Sequence, residues 1–522
     1  MPPLRFLTCA FLAIHNVHAD GTPDKVSSRL NIHIPQSLFK EEGYNHREAL
    51  FGVPPYGGAI AQMLYYADSQ LCDTDVDTRK GYPIRPKDKD GKMEPWPSPY
   101  VLMVDRGGCT FVQKVRNAQR SGAAGVIVAD NVCLCSDGDE CTSSESEAVC
   151  QQSEPIMADD GSGTDISIPA FLMYKVDADA VKAVVRANNP VQLEMAWSLP
   201  APDDRVEYDL WTVPSDKISQ DFQKSFRSAS AALGSHAYFT PHMYIYDGIR
   251  SQCRGPDGES MCYNLCTNHG RYCAIDPDND LDKGISGADV VIESLRRLCI
   301  WNHYGEEDGI GDMWWSYVNE FMFRCDTPDY FASDDCIKDV YKQTGIDATI
   351  VNNCMKNSGG TEEDKQNSIL EDQIETAKNM GVVIIPTAFV NESAIRGKLS
   401  FSTLFTAVCS GFVAGSEPDI CSKCSSCPSQ QGCVENGSCT AEHFNGGHPV
   451  KGTVSKGTFV LTILLVCGVF GAAGYWHRKR TQSEMRDQVK GLLAEYMPLE
   501  SEDGEIGSAM DFASRQGTQE IS

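Results

Sequence analysis

The sequence predicts a multidomain α/β protein of type I topology, anchored by one membrane span with its bulk on the side away from the cytosol. Three observations predict it. Residues 1–19 carry Arg5, an apolar run from Phe6 to Ile14 and the small-residue site Val17-His18-Ala19, the pattern of a secretory signal peptide. Residues 457–476 contain no charge and would make a helix about 30 Å long, one bilayer span. His477-Arg478-Lys479-Arg480 follows at once, and the positive-inside rule assigns that flank to the cytosol. Between signal and span, strand-like and helix-like segments alternate, which is the pattern of α/β domains.

Composition narrows the function classes. With 41% hydrophobic and 22% charged residues, the 522-residue chain can bury ordinary cores. Lys+Arg total 45 against 72 for Asp+Glu, a net charge of −27, so the surface repels phosphate backbones and nucleic acid is excluded as a partner. Cys9 and Cys467 fall in the two apolar segments, which leaves 20 of the 22 cysteines for an oxidising compartment. They form three even groups: six from Cys72 to Cys150, eight from Cys253 to Cys354 and six from Cys409 to Cys439. Even groups suit disulfides that close within domains, although spacing alone leaves the pairing open. Asn391-Glu392-Ser393 and Asn436-Gly437-Ser438 are glycosylation acceptor patterns.

The segments divide as signal peptide 1–19, a first α/β domain 20–198, a second 199–415, a Cys-rich stretch 416–455, the span 456–476 and a tail 477–522. In the first domain, residues 100–104, 123–129 and 168–172 read as buried strands and 111–121 as a helix. Between strand and helix stands Asp105-Arg106-Gly107-Gly108-Cys109-Thr110-Phe111. Its glycines permit a tight turn that presents Arg106 and free N–H groups at a helix N-terminus, suited to a carboxylate or a peptide backbone. The plainer reading is a glycine turn with a solvated arginine.

In the second domain, 206–213 reads as a strand, 221–233 as an amphipathic helix and 237–246 as a strand. A Cys-bearing helical insertion follows. The domain closes with an apolar strand at 382–390 broken by Ile385-Pro386-Thr387, then 395–399, then a helix through Cys409. This order resembles the thioredoxin-like fold, whose proline is commonly cis. A redox thioredoxin needs a Cys-x-x-Cys at its first helix N-terminus. Here Thr212-Val213-Pro214-Ser215-Asp216 stands there, so the fold is expected without the chemistry. Asp276, Asp278, Asp280 and Asp282 suggest a calcium loop, yet no register places Gly sixth and Glu twelfth, and a solvated acidic loop is the preferred reading. His269 and His303 are read as structural or exposed rather than as metal ligands, and no metal site is assigned.

Cys421-x-x-Cys424-x-x-Cys427 with Cys433 and Cys439 lies in a Gly/Ser/Asn-rich stretch, read as a disulfide-stapled stalk rather than a zinc site. In the tail, Ser483 caps a helix with Met485, Val489, Leu492, Leu493 and Tyr496 on one face. Tyr496-Met497-Pro498-Leu499 ends it, a Tyr-x-x-Φ peptide of the kind adaptors bind as an added strand. Gly468 and Ala472 have the spacing of a helix-dimer face in the span, a hint of a homodimer.

Beyond these readings, FGVPPYGG (51–58), VDRGGCTFVQKVRNAQRSGAAGVIVAD (104–130) and IPAFLM (168–173) resemble the protease-associated domain, in the form carried by plant vacuolar sorting receptors. CTNHGRYCA (266–274), WWSYVNEF (314–321), IPTAFVNESAIRGKL (385–399) and SEMRDQVKGLLAEYMPLE (483–500) are similar to the same family. The resemblance implies that Arg106, Gly107, Cys109 and Phe111 contact soluble vacuolar cargo, that Asp159 lies near the ligand, and that Cys72 is tied to Cys109. It also implies Golgi and prevacuolar membranes, clathrin-coated vesicles and a clathrin adaptor on Tyr496 to Leu499. The family carries EGF-like repeats where this chain has room for at most one, and its calcium requirement does not carry over with them. Rival enzyme readings, a lumenal thioredoxin-like oxidoreductase or a protease-associated-domain enzyme, find no motif here: H-E-x-x-H, G-x-S-x-G and a Cys/His ring pattern are all missing.

Overall fold

The computed structural model describes residues 28–73, 81–91, 93–132, 157–201 and 203–439. The signal peptide, Cys133 to Cys150, the span and the tail with Tyr496 to Leu499 lie outside them. Among the described residues no helix is long and apolar enough to cross a membrane.

The first domain is a seven-stranded mixed sheet. Its strands are β1 (Ser28–Ile34), β2 (His46–Glu48), β3 (Ala59–Tyr66), β4 (Tyr100–Asp105), β5 (Ala123–Ala129), β6 (Ala170–Met173) and β7 (Gln192–Trp197), in spatial order β1-β7-β3-β4-β5-β6-β2. β3, β4, β5 and β6 run parallel, while β7 and β2 close the two flanks antiparallel. Helix α1 (Phe111–Arg120) covers one face through Val112, Val115 and Ala118, and α2 (Lys175–Arg186) covers the other through Ala178, Val181 and Val185. Val101 to Val104 and Val126 to Ala129 are all fully buried, which is why they read as continuous apolar runs rather than alternating ones.

The second domain begins with β8 (Val206–Thr212), α3 (Lys217–Leu233) and β9 (Ala237–Met243). The insertion holds a small sheet of β10 (Tyr246–Asp247), β11 (Cys266–Thr267) and β12 (Tyr272–Cys273). Its helices are α4 (Gly287–Tyr304), α5 (Asp312–Arg324), α6 (Asp334–Thr344), α7 (Ala348–Asn357) and α8 (Ser368–Asn379). The chain returns through β13 (Thr387–Val390) and β14 (Ser393–Ala394) to α9 (Phe401–Ser410), α10 (Asp419–Cys424) and α11 (Gln430–Asn436). The sheet order is β14-β13-β8-β9, with β8 and β9 parallel and β13 antiparallel to β8 and β14, as in a thioredoxin-like sheet. The Ile385–Pro386 peptide bond is cis. The expected strand at 382–390 starts only at Thr387, because Pro386 has no N–H to give a ladder. The helix expected from 221 starts at Lys217, where the Asp216 carboxylate accepts Ser219 N–H at 2.7 Å.

The insertion is docked by aromatics: Trp314 and Trp315 approach Phe239 of β9 to 5.3 and 4.8 Å between ring centres. Disulfides Cys253–Cys262, Cys266–Cys273, Cys299–Cys354 and Cys325–Cys336 all close within it.

Two expectations are corrected. The Cys-rich stretch, in its described part to Cys439, is not an EGF-like stalk: it is the helix pair α10 and α11, packed on α3 and α9. Cys421 and Cys424 share one face of α10 at i, i+3 and Cys433 lies on α11, all three buried; Cys409–Cys421 fastens the pair to α9 while Cys424–Cys433 and Cys427–Cys439 staple it internally. Asn391 is not an accessible glycosylation site. Only 6% exposed, its side chain accepts Glu207 N–H at 3.1 Å and donates to Gly411 O at 2.9 Å and to Pro200 O, so no room is left for a sugar. Asn436 is exposed.

Candidate functional site

The Arg106 turn is built from beneath. β4 delivers the chain to the sheet's carboxyl edge, where Arg106 N–H reaches Ala129 O of β5 at 2.9 Å. Gly107 and Gly108 then adopt φ of +107° and +76°, and a Cβ on Gly108 would stand 2.3 Å from Gln70 Oε1. Only glycine fits that approach. Cys109 is bonded to Cys72, and the Thr110 hydroxyl caps α1 by accepting Gln113 N–H at 3.2 Å. Phe111 lies at the first helical position, half-buried against the α1-side core.

Beneath the turn lies Lys114, fully buried on the inner face of α1. Its ammonium donates to Gln70 O at 2.6 Å and to Gly107 O, so it holds both walls of the turn. Burial pushes it down to about 8, the Asp105 charge opposing. Arg106 is only half free. Its Nη1 donates to both oxygens of Asp130 at 3.0 and 3.1 Å, and Asp130, wholly buried, also accepts Asn131 and Val132 N–H. Among the described residues Nε and Nη2 of Arg106 have no partner, and the side chain is 30% exposed. The arginine thus has one edge fixed and one edge offered.

The loop carrying Asp159 is brought beside α1. Arg116 grips it through Asp165 at 2.7 Å and through Ser162. Asp159 itself closes the loop, its Oδ1 accepting Gly161 and Gly163 N–H at 2.9 Å. Asp160 is the carboxylate in contact with the helix cap: the Ser162 and Thr110 hydroxyls hold it below the usual range. Asp160, Gln70, Lys114 and Asp130 went unread in the sequence. Lys114 alone left a signal, a lysine at a core-facing position between Val112 and Val115.

The motif FGVPPYGG touches the second domain rather than the Arg106 turn. Tyr56 exchanges two hydrogen bonds with Arg396, accepting its N–H at 2.6 Å and donating to its carbonyl at 3.1 Å. Gly397 and Lys398 N–H donate to Ala49 O and Gly52 O, and Ser410 donates to Tyr56 O. Two motifs far apart in sequence are thus the two halves of one domain contact. At the N-terminus of α3, where a redox thioredoxin keeps its cysteines, none occurs between Thr212 and Lys217, and the carboxylate cap Asp216 stands there. Asp276, Asp278 and Asp280 spend carboxylate oxygens closing turns of their own loop, onto the amides of residues 278, 280 and 282.

Comparison with known proteins matches both domains. A model of the PA domain fits residues 60–223, and one of the vacuolar sorting receptor thioredoxin-like domain fits residues 206–409. This chain is a relative of the vacuolar sorting receptors. Vacuolar-sorting receptor 4 of Arabidopsis thaliana is 33% identical over 399 residues, covering 71% of this chain and 57% of that protein. Vacuolar-sorting receptor 1 of Pisum sativum is 32% identical over 394 residues with the same coverage. The chain therefore spans little more than half the length of the curated sorting receptors it matches. Among solved structures, the thiol-disulfide exchange protein alpha-DsbA2 of Wolbachia pipientis is 11% identical, with 40% of this chain and 83% of that one covered and a TM-score of 0.24, too low to carry an argument.

Proposed function

We propose that the protein is a transmembrane sorting receptor: it binds soluble cargo in the Golgi lumen and directs it, through clathrin adaptors, to a vacuole or lytic compartment. The observation that carries this reading is the Arg106 turn, where an arginine with one edge fixed by a buried carboxylate and one edge free stands beside a helix N-terminus. That arrangement suits a carboxylate or backbone carbonyl of a cargo peptide, with Phe111 supplying an apolar contact. Its occurrence in a PA domain joined to a sorting-receptor thioredoxin-like domain supports the same reading. An enzymatic role finds no support at α3, where a redox thioredoxin keeps its cysteines.

In this reading Tyr496 and Leu499 engage the adaptor from the cytosolic side, the chain cycles between Golgi and prevacuolar membranes, and Asn436 is the acceptor open to glycosylation. The test is capture on the immobilised full chain in detergent, with lumenal extracts applied at neutral pH and eluted with acid. A reproducible set of soluble hydrolases or storage proteins, lost in the Arg106→Gln variant, is expected. Recovery of the same set on that variant would remove the turn from cargo binding, and recovery of no set at all would remove the receptor reading.

A further inference from the structure

The helical insertion encloses an ion cluster that does not balance. On the inner face of α4, Glu293 is 1% exposed, Arg297 0% and Arg296 9%. Glu293 Oε1 accepts Arg297 Nε at 3.0 Å, and Glu293 Oε2 accepts Arg296 Nη1 and, at 3.3 Å, the Tyr317 hydroxyl of α5. Helical spacings of three and four residues put both arginines over the one carboxylate. Among the described residues no second carboxylate pairs with either of them. A guanidinium keeps its proton in a protein interior, so two positive charges share one negative charge.

Donors are left over as well. Among the described residues, Nη1 and Nη2 of Arg297 and Nε of Arg296 are buried with no hydrogen-bond acceptor. The Phe321 ring centre lies 5.4 Å from the Arg297 guanidinium carbon and offers it a π face, which eases the charge without neutralising it. The tyrosines beside the pair do not ionise to do so: burial pushes the Tyr317 and Tyr341 hydroxyls well above their usual range. Because one carboxylate holds both guanidiniums, one on each oxygen, their free nitrogens are kept in the same small volume between α4, α5 and α6. A buried cation without a partner is far costlier than a buried pair, and a counter-ion that reaches it stabilises the fold.

We propose that the insertion binds a buried monovalent anion of halide size, chloride in ordinary salt, between the guanidiniums of Arg296 and Arg297. The anion accepts from the free nitrogens and brings the cluster to neutrality. A single atom suits the surroundings: Tyr317, Phe321 and Tyr341 close the cluster with aromatic edges, which carry partial positive charge but few of the donors that an oxyanion needs. Its role is structural. α5 brings Trp314 and Trp315 onto Phe239, so an anion joining α4 to its neighbours steadies the helix that docks the insertion. The proposal goes beyond the cargo role of Arg106 and does not depend on it.

The test uses the detergent-solubilised full chain at constant ionic strength, with sodium chloride exchanged for sodium gluconate. In equilibrium dialysis, radiolabelled chloride should be retained at one ion per chain; the net charge of −27 keeps diffuse chloride association low. The thermal midpoint should rise by roughly 5 °C between about 1 and about 100 mM chloride, as mass action requires for millimolar binding. Bromide should substitute for chloride and gluconate should not. Arg297→Met and Arg296→Met each remove the surplus charge and should abolish both retention and the chloride dependence. Arg296 is the more exposed of the two, so its variant keeps the test open where the other misfolds. Arg106→Gln should change neither readout. Two results would each overturn the proposal: no chloride retained by folded wild type, which would leave the free donors to water, or a midpoint that rises with chloride as much in Arg296→Met as in wild type, which would make the effect a general one of salt.

Discussion

The two domains place the same device at the same point. In each, a parallel strand ends at the carboxyl edge of a sheet and a short turn leads into a helix N-terminus: β4 into α1, and β8 into α3. They differ in the turn. The first has two glycines, a neutral cap at Thr110 and an arginine with a free edge; the second has Pro214, a carboxylate cap at Asp216 and no side chain offered to an anion. A helix N-terminus attracts negative charge: at α3 the cap itself is the carboxylate, whereas at α1 the cap is neutral and the charge comes from Asp160 of a separate loop. One scaffold thus presents a cation, Arg106, at one edge and none from the corresponding turn at the other, set by a handful of turn residues.

The largest expected effect comes from breaking the first device. Arg106→Ala should lower cargo affinity about ten- to a hundredfold. It should also lower stability in urea by about 2–4 kcal/mol, since Asp130 would be left buried and unpaired. Arg106→Lys should recover most of the stability and little of the affinity. If Arg106→Ala changes neither quantity, the turn is merely a surface feature. Next is Lys114→Met, expected to cost about 2–3 kcal/mol, because two carbonyls of the turn lose a charged donor. An unchanged urea midpoint would show that the Cys72–Cys109 bridge alone shapes the loop.

A pH effect should rank third, and it belongs to the edge of the first sheet near the domain contact. His46 hydrogen-bonds Ser28 at 2.8 Å, donates from Nδ1 to Tyr44 O, and stacks on Phe171; burial holds it down at about 4, with Arg47 adding to the shift. The unfolded chain therefore takes a proton near 6.5 that the folded one refuses until about 4, and stability falls with pH across that window by up to about 2 kcal/mol between pH 7 and 5. Glu48 acts with the opposite sign. Burial raises its carboxyl despite Ser28, Trp197 and Arg396, so the folded state takes up its proton first and gains stability as pH falls. His46→Asn should remove the first arm and make the chain more acid-resistant than wild type, read as thermal midpoints at pH 7 and pH 5. An unaltered difference between the two midpoints would exclude His46. The smallest effects are the caps: Thr110→Ala and Asp216→Ala should each cost about 1 kcal/mol.

The frame of both domains was legible because buried strands and amphipathic helices leave their period in the sequence: β4, β5 and α1 stand within a residue or so of where apolar runs and helical spacing put them. Arg106 and its glycines were legible too, since tight turns constrain residue type. What could not be read was tertiary. That Arg106 leans on Asp130, 24 residues away, depends on two strand ends lying side by side. That Asp160 meets the helix cap depends on how Arg116 folds a loop back. The Cys-rich stretch misled because cysteine spacing alone says nothing about the backbone between, and the i, i+3 spacing of Cys421 and Cys424 went unweighed against composition.

Asn391 has a consequence for how the chain is made. Its amide is the clasp between β13, the amide of Glu207 at the start of β8 and the end of α9, and it does this from a left-handed backbone, φ +47°, that asparagine tolerates better than most. Asn391-Glu392-Ser393 also spells an acceptor sequence. In a compartment where such sequences are modified during synthesis, the nascent chain faces a race: β13 must dock before a sugar is attached, since a glycosylated Asn391 keeps one amide hydrogen for two carbonyls and has no space to lie in. Molecules that lose the race cannot close the central sheet. A fraction of newly made protein bearing sugar at Asn391 would therefore be a count of failed folding, and slowing the docking of β13 on β8 should raise it.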